Sequence, residues 1–187
     1  MPWGLWVPRL FAGVDIRVTG SGNTGATNVW RTLGFKLGLG VALLDIAKGL
    51  VPALLGRWLA DDLVAVLAGT AAMAGHWRPL FIGFARGGKT VATTGGVGLA
   101  LAFLATMSAA GVWIALFLLT RYASVASIVA VATLPLFAFL FGASVPVLAF
   151  TVAGAVAVIV LHRTNIRRLR AGTENRFQLR KRAVARA

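Results

Sequence analysis

Long apolar runs separated by short polar segments make up most of this chain. The runs fall at residues 37–60, 63–77, 90–107, 109–120, 124–141 and 144–161. A helix needs about 20 largely apolar residues to cross a bilayer, with a range of 17–25. The second and fourth runs are short for that length, so they extend into their flanks, tilt little or are partly re-entrant. Ahead of them, MPWGLWVPRLFAG (1–13) is apolar but too short to span as a regular helix. The pattern predicts an all-α, polytopic membrane bundle of six spans plus an N-terminal stub. A spanning β-barrel is excluded because the runs are continuous rather than alternating.

Composition agrees with that pattern. The chain is 58% hydrophobic with a mean hydropathy of +0.83, where soluble domains sit near 45–50% apolar. Charged residues are 13%, yet the net charge is +14. A chain both very apolar and very basic is a membrane protein whose loops carry the charge. With no Cys there are no disulfides or thiolate metal sites. Two His and five acids are too few and too scattered for a metal cluster, so neither metal nor cofactor is expected.

The basic residues give an orientation. Counting sides back from the C-terminus, one face receives nine arginines and lysines of the tail, from Arg163 to Arg186, then Arg121, then Arg78, Arg86 and Lys89, then Arg17, Arg31 and Lys36. By the positive-inside rule that face is cytoplasmic. The chain is expected to be one integral membrane domain (1–175) with a basic cytoplasmic tail (176–187) that serves as a topological signal or touches lipid headgroups.

The stretch GFARGGKT (83–90) fits the nucleotide P-loop pattern. That loop needs a buried strand before it and a helix after it, whereas LVAVLAGTAAMAGHW (63–77) reads as a helix. GVALLD (40–45) imitates a second nucleotide motif, but it too lies in a long apolar run. No nucleotide or nucleic acid is expected.

Three polar segments share the cytoplasmic face: GSGNTGATNVWR (20–31), GHWRPLFIGFARGGKTVATTGG (75–96) and HRTNIRRLRAGTE (162–174). All are rich in donors and nearly free of acids, which is how a site for a phosphorylated ligand is built. Plainer roles stand beside this one. Glycine loops are often only turns. His76 and His162 can each be structural histidines at the interface. Asp45 and Lys48, three apart on a helix, can form a structural ion pair, although charges within a span point to function by default.

Together these segments resemble the three signature motifs of the bacterial membrane glycerol-3-phosphate acyltransferases that use acyl phosphate, the PlsY family. LLDIAKG (43–49) and TRYASVASI (120–128) resemble that family too. The resemblance runs from about Val14 to Asn175. It implies transfer of a fatty acyl group from acyl phosphate to the 1-hydroxyl of sn-glycerol 3-phosphate, giving lysophosphatidate and phosphate in phospholipid synthesis. It also implies a multi-pass protein of the bacterial plasma (inner) membrane, with its active site facing the cytoplasm. The chain departs from the family in two places. Thr90 stands where the family motif has Gly, which creates the P-loop match. The family has seven spans, the first before the first motif, where this chain has 13 residues; the N-terminus is expected to be truncated or its start misassigned.

The reaction needs no covalent intermediate, since acyl phosphate is already activated. The site must bring two anions together, orient the hydroxyl and stabilise developing charge. Ser21, Arg31, His162 and Asn165 are the candidate catalytic residues. Gly22, Asn23, Thr27, Asn28, His76, Gly87, Gly88, Lys89 and Ser124 are candidate substrate-binding residues, and the resemblance links the second segment to glycerol 3-phosphate. His162 acts as general base on the hydroxyl, or a substrate phosphate oxygen takes the proton and His162 positions it; the residues do not separate the two. Glu174 is expected to anchor the third segment through an Arg, and Asp45 and Lys48 are assigned structural roles. The alternative is a transporter or binding protein for a phosphorylated solute. Such a protein would place basic residues at the bilayer midplane, whereas here nearly all lie at one face.

Overall fold

The computed structural model describes residues 1–178; Arg180, Lys181, Arg182 and Arg186 of the basic tail lie outside the described residues. Among these the secondary structure is helical throughout: α1 (Trp3–Ala12), α2 (Ala26–Leu33), α3 (Phe35–Leu59), α4 (Asp62–Trp77), α5 (Val91–Leu101), α6 (Phe103–Thr120), α7 (Ala123–Leu140), α8 (Val145–Leu161) and α9 (Arg163–Arg170). The N-terminal stub is α1, closed by Gly13 at φ +64: the Gly13 N–H donates to the Arg9 carbonyl and the Val14 N–H to the Pro8 carbonyl.

By length and composition α3, α6 and α7 can each cross a bilayer, and α8 joins them if taken with α9, from which it is bent by 55°. The 25 residues of α3 measure about 38 Å at 1.5 Å per residue. The expected break between the third and fourth runs, at residue 108, is displaced. The chain instead breaks at Ala102, with φ −145 and ψ 68. This leaves α5 at 11 residues, about 16 Å long, roughly half a bilayer. The sequence there is uniformly apolar, GLALAFLATM, so hydropathy carries no mark of the break. What permits it is Gly98: a Cβ there would run into the Thr106 side chain, so the two helices close against each other.

Small residues set the packing of the first half. Gly49 of α3 approaches the Thr93 backbone of α5, and Gly96 of α5 approaches the Ile46 backbone of α3, both too closely for a side chain. Backbones brought this near gain dispersion contact that lipid cannot replace. At the end opposite the polar segments, Asp61 caps α4 through Val64 N–H at 2.9 Å. Asp62 pairs with Arg57 at 3.3 Å and accepts from the Ser144 hydroxyl at 2.5 Å. The second half is the α6–α7 hairpin, which packs onto α8. Trp30, Phe117 and Phe177 close the bundle at its polar end, with ring centroids 4.8–5.6 Å apart.

Candidate active site

A cavity of about 800 Å³ separates α3 and α5 from α6 and α7. Its inner wall is apolar, with Leu39, Leu99, Trp113, Ile114, Val131 and Leu134, while its mouth carries the polar segments. Ser21, Arg31, His162 and Asn165 all line it, as do Asn23, Thr27, Asn28, His76, Lys89 and Ser124.

The first loop is organised by Asn28, which is 2% exposed. Its amide hydrogens go to the carbonyls of Ile16, Thr19 and Asn23 at 3.2, 3.1 and 3.0 Å. Its oxygen accepts from Ser21 N–H at 2.9 Å. The side chain is thus engaged within the loop, and what it offers a ligand is the position of Ser21. Asn23 likewise accepts from Gly25 N–H at 2.9 Å. Gly22, at φ +67, makes the turn and is not in the cavity wall.

Gly87 and Gly88 also stand differently from the expectation that they hold a phosphate. Their N–H groups donate to the carbonyls of Trp77 and His76 at 2.9 and 3.2 Å. Both are buried beneath the cavity, and their contribution is a turn that delivers Lys89 to the wall. Lys89 donates to the Asn165 side-chain oxygen. Burial pushes its pKa down to about 8; Glu174 works against this, and Arg168, Arg86 and Arg31 add to it.

The bend after α8 places His162 and Asn165, 3% and 5% exposed, in the same wall. The His162 Nδ1 lies 2.8 Å from the Val158 carbonyl. A carbonyl only accepts, so Nδ1 carries the hydrogen and Nε2 keeps a lone pair. Glu174 accepts from Asn165 Nδ2 at 2.6 Å, Arg168 Nε at 2.7 Å and Ser124 Oγ at 2.8 Å. Burial raises its pKa, but these donors overbalance it and hold the carboxyl below its ordinary value. The segment after Glu174 crosses the mouth. Arg31 donates to the Asn175 carbonyl at 3.4 Å and lies 4.8 Å from the centre of the Phe177 ring. Phe177 N–H donates to the Arg121 carbonyl at 2.8 Å.

Some contributors carried no mark in the sequence. Phe177 meets Trp30 and Phe117 across most of the chain's length. Asp45, Lys48 and His76 form one cluster, although His76 is 28 residues from Lys48.

Residues 1–172 match the glycerol-3-phosphate acyltransferase family model. The chain belongs to this family. It is 49% identical over 180 residues to a glycerol-3-phosphate acyltransferase of Geobacter sulfurreducens, covering 95% of this chain and 91% of that one. A relative of the same name from a Roseiflexus species is 48% identical, with 95% and 89% covered. Two crystal structures of PlsY, an integral membrane glycerol 3-phosphate acyltransferase, superpose with a TM-score of 0.88. One is the glycerol 3-phosphate form, at 41% identity with 95% and 90% covered. The other is the lysophosphatidic acid form, at 40% identity with 95% and 89% covered. Like those proteins, the chain is an integral membrane protein with several apolar helices.

Proposed function

We propose that this chain transfers a fatty acyl group from acyl phosphate to the 1-hydroxyl of sn-glycerol 3-phosphate, releasing lysophosphatidate and inorganic phosphate. The observation that carries this reading is a single cavity with Ser21, Arg31, Lys89, His162 and Asn165 at its mouth and an apolar interior. An acyl phosphate has matching halves: a chain that belongs among apolar side chains and an anhydride that belongs among donors. The reading embeds the bundle of α3 to α8 in a bacterial inner membrane, with the mouth at the cytoplasmic face where the basic loops gather.

Each reactant carries close to two negative charges, so fixed cations must offset their repulsion. Arg31 and Lys89 supply them, and the first loop presents Ser21 beside them. The acceptor's hydroxyl oxygen forms a bond to the acyl carbonyl carbon, and the bond from that carbon to the phosphate oxygen breaks. The hydroxyl proton goes to Nε2 of His162 or to a phosphate oxygen of the substrate. With its hydrogen on Nδ1, His162 is in the tautomer able to accept it. Asn165 ties the cation to its counter-ion, accepting from Lys89 and donating to Glu174.

The test is acceptor dependence. Protein purified in detergent should release phosphate from palmitoyl phosphate only when glycerol 3-phosphate is added. Equal release without the acceptor makes it a hydrolase and ends the reading.

A further inference from the structure

The Lys89 turn rests on a charged cluster that the proposed chemistry does not use. Asp45 is 1% exposed and His76 6%. Asp45 lies on α3 and His76 in the last turn of α4. Lys48 stands about 20 Å along α3 from its start, at 1.5 Å per residue. It pairs with Asp45 at 2.5 Å and also reaches the Met1 carbonyl at 3.2 Å and Nδ1 of His76. Charges held at such depth are costly unless paired.

Nδ1 of His76 faces both the Lys48 ammonium and, at 3.5 Å, Asp45 Oδ1. The ammonium is the nearer and has only hydrogens to give, which assigns Nδ1 as the acceptor and puts the ring hydrogen on Nε2. That edge faces Gly88: a Cβ on Gly88 would strike Nε2. The same histidine's carbonyl takes the Gly88 N–H at 3.2 Å, and Trp77 takes the Gly87 N–H at 2.9 Å. The His76 ring and carbonyl, with the Trp77 carbonyl beside them, therefore hold the level and the path of the turn that ends in Lys89.

We propose that Asp45 and Lys48 lock the His76 ring beneath the Gly87–Gly88 turn, and that His76 is thereby a positioning residue for Lys89, setting the affinity for glycerol 3-phosphate. This rests on the reading of Lys89 as a phosphate ligand. His76 itself need not touch the reacting atoms.

The experiment measures kcat, both KM values and melting temperature in detergent, with calorimetric binding of glycerol 3-phosphate as a second readout. His76→Ala should raise KM for glycerol 3-phosphate about tenfold, with KM for palmitoyl phosphate unchanged and kcat within about threefold. Asp45→Asn/Lys48→Met, which removes both charges together and leaves no unpaired ion, should raise the same KM in a folded protein. His76→Asn, whose amide oxygen can still accept from Lys48, should recover part of the affinity. Unchanged glycerol 3-phosphate affinity in both His76→Ala and the double variant overturns the proposal, provided Lys89→Ala loses it. Parallel loss of kcat and both KM values with a lowered melting temperature also overturns it, because that is a scaffold effect. If the wild type fails acceptor dependence, the functional reading fails instead, and the two failures are told apart.

Discussion

His162 and His76 are both buried in the wall of one cavity, each with a single ring nitrogen bonded to protein, and their chemistry is opposite. His162 gives its Nδ1 hydrogen to the Val158 carbonyl and so turns a lone pair outward. His76 receives a hydrogen from Lys48 at Nδ1 and so turns an N–H outward, toward the Gly88 turn. The partner of the first nitrogen decides what the second can do. A carbonyl partner makes a proton acceptor, and an ammonium partner makes a fixed donor edge. Two histidines within one pocket are thereby separated into a candidate base and a candidate support.

The largest test of this contrast is kinetic. His162→Ala should lower kcat about 10²–10⁴-fold, the range for a lost general base, while His76→Ala acts on KM. Single-turnover measurement of acyl transfer compares them, and equal kcat losses would dissolve the distinction. If a substrate phosphate takes the proton instead, the His162 loss should lie at the low end of that range.

Next comes the support on the His162 side. Glu174→Ala takes the acceptor from the buried Asn165 and Ser124 side chains and the counter-ion from Arg168, which water still reaches, a loss of about 2 kcal/mol from the unsatisfied buried donors. Thermal unfolding in detergent measures it. The sign of its pH dependence follows from the lowered native pKa: Glu174 contributes fully above its unfolded value of 4.5 and loses that contribution as pH falls through the native one. An unchanged melting temperature would leave His162 and Asn165 without this anchor.

Lys89 sharpens the His76 side. With its pKa near 8, it loses charge as pH rises past that value, and KM for glycerol 3-phosphate should climb about tenfold over the following pH unit or two. Stability moves the other way. Between about 8 and its unfolded value of 10.5 the unfolded chain binds the extra proton, so the folded state gains as pH rises. A pH titration of KM beside one of melting temperature tests both. The smallest effect is expected at Thr90, a β-branched residue at φ +62 in the turn beside Lys89. Thr90→Gly should stabilise by about 1 kcal/mol, the relief of a left-handed backbone less the entropy glycine adds to the unfolded chain. A lower melting temperature would show that Thr90 packing outweighs its strain.

Much of this was legible in the residues. The apolar runs located α3, α4, α7 and α8 because lipid and buried packing leave a long hydropathy signal, and the acid-poor polar segments carried their own chemistry. The boundary between α5 and α6 was not legible, since Gly98 admits Thr106 through a contact that hydropathy does not encode. Asp45 and Lys48 pair within one helix turn and could be seen; their meeting with His76 depends on how α3 and α4 pack. Gly87 and Gly88 showed the opposite limit. Their glycine identity marks a tight place, but a Gly-rich loop looks the same whether its N–H groups meet a phosphate or the Trp77 and His76 carbonyls.

The strap from Glu174 to Phe177 has a consequence for how the protein comes into being. Ser124 meets a residue 50 positions later, and Arg31 one 144 positions later. Chains emerge from the ribosome N-terminus first, at about 5–20 residues per second. The piece that closes the pocket is therefore the last part of it to be made. A chain cut before residue 174 would keep the helices and the apolar cavity but lose the Glu174 anchor of Ser124 and Asn165 and the Phe177 contact on Arg31, so the pocket is finished only by the last of its residues to be made.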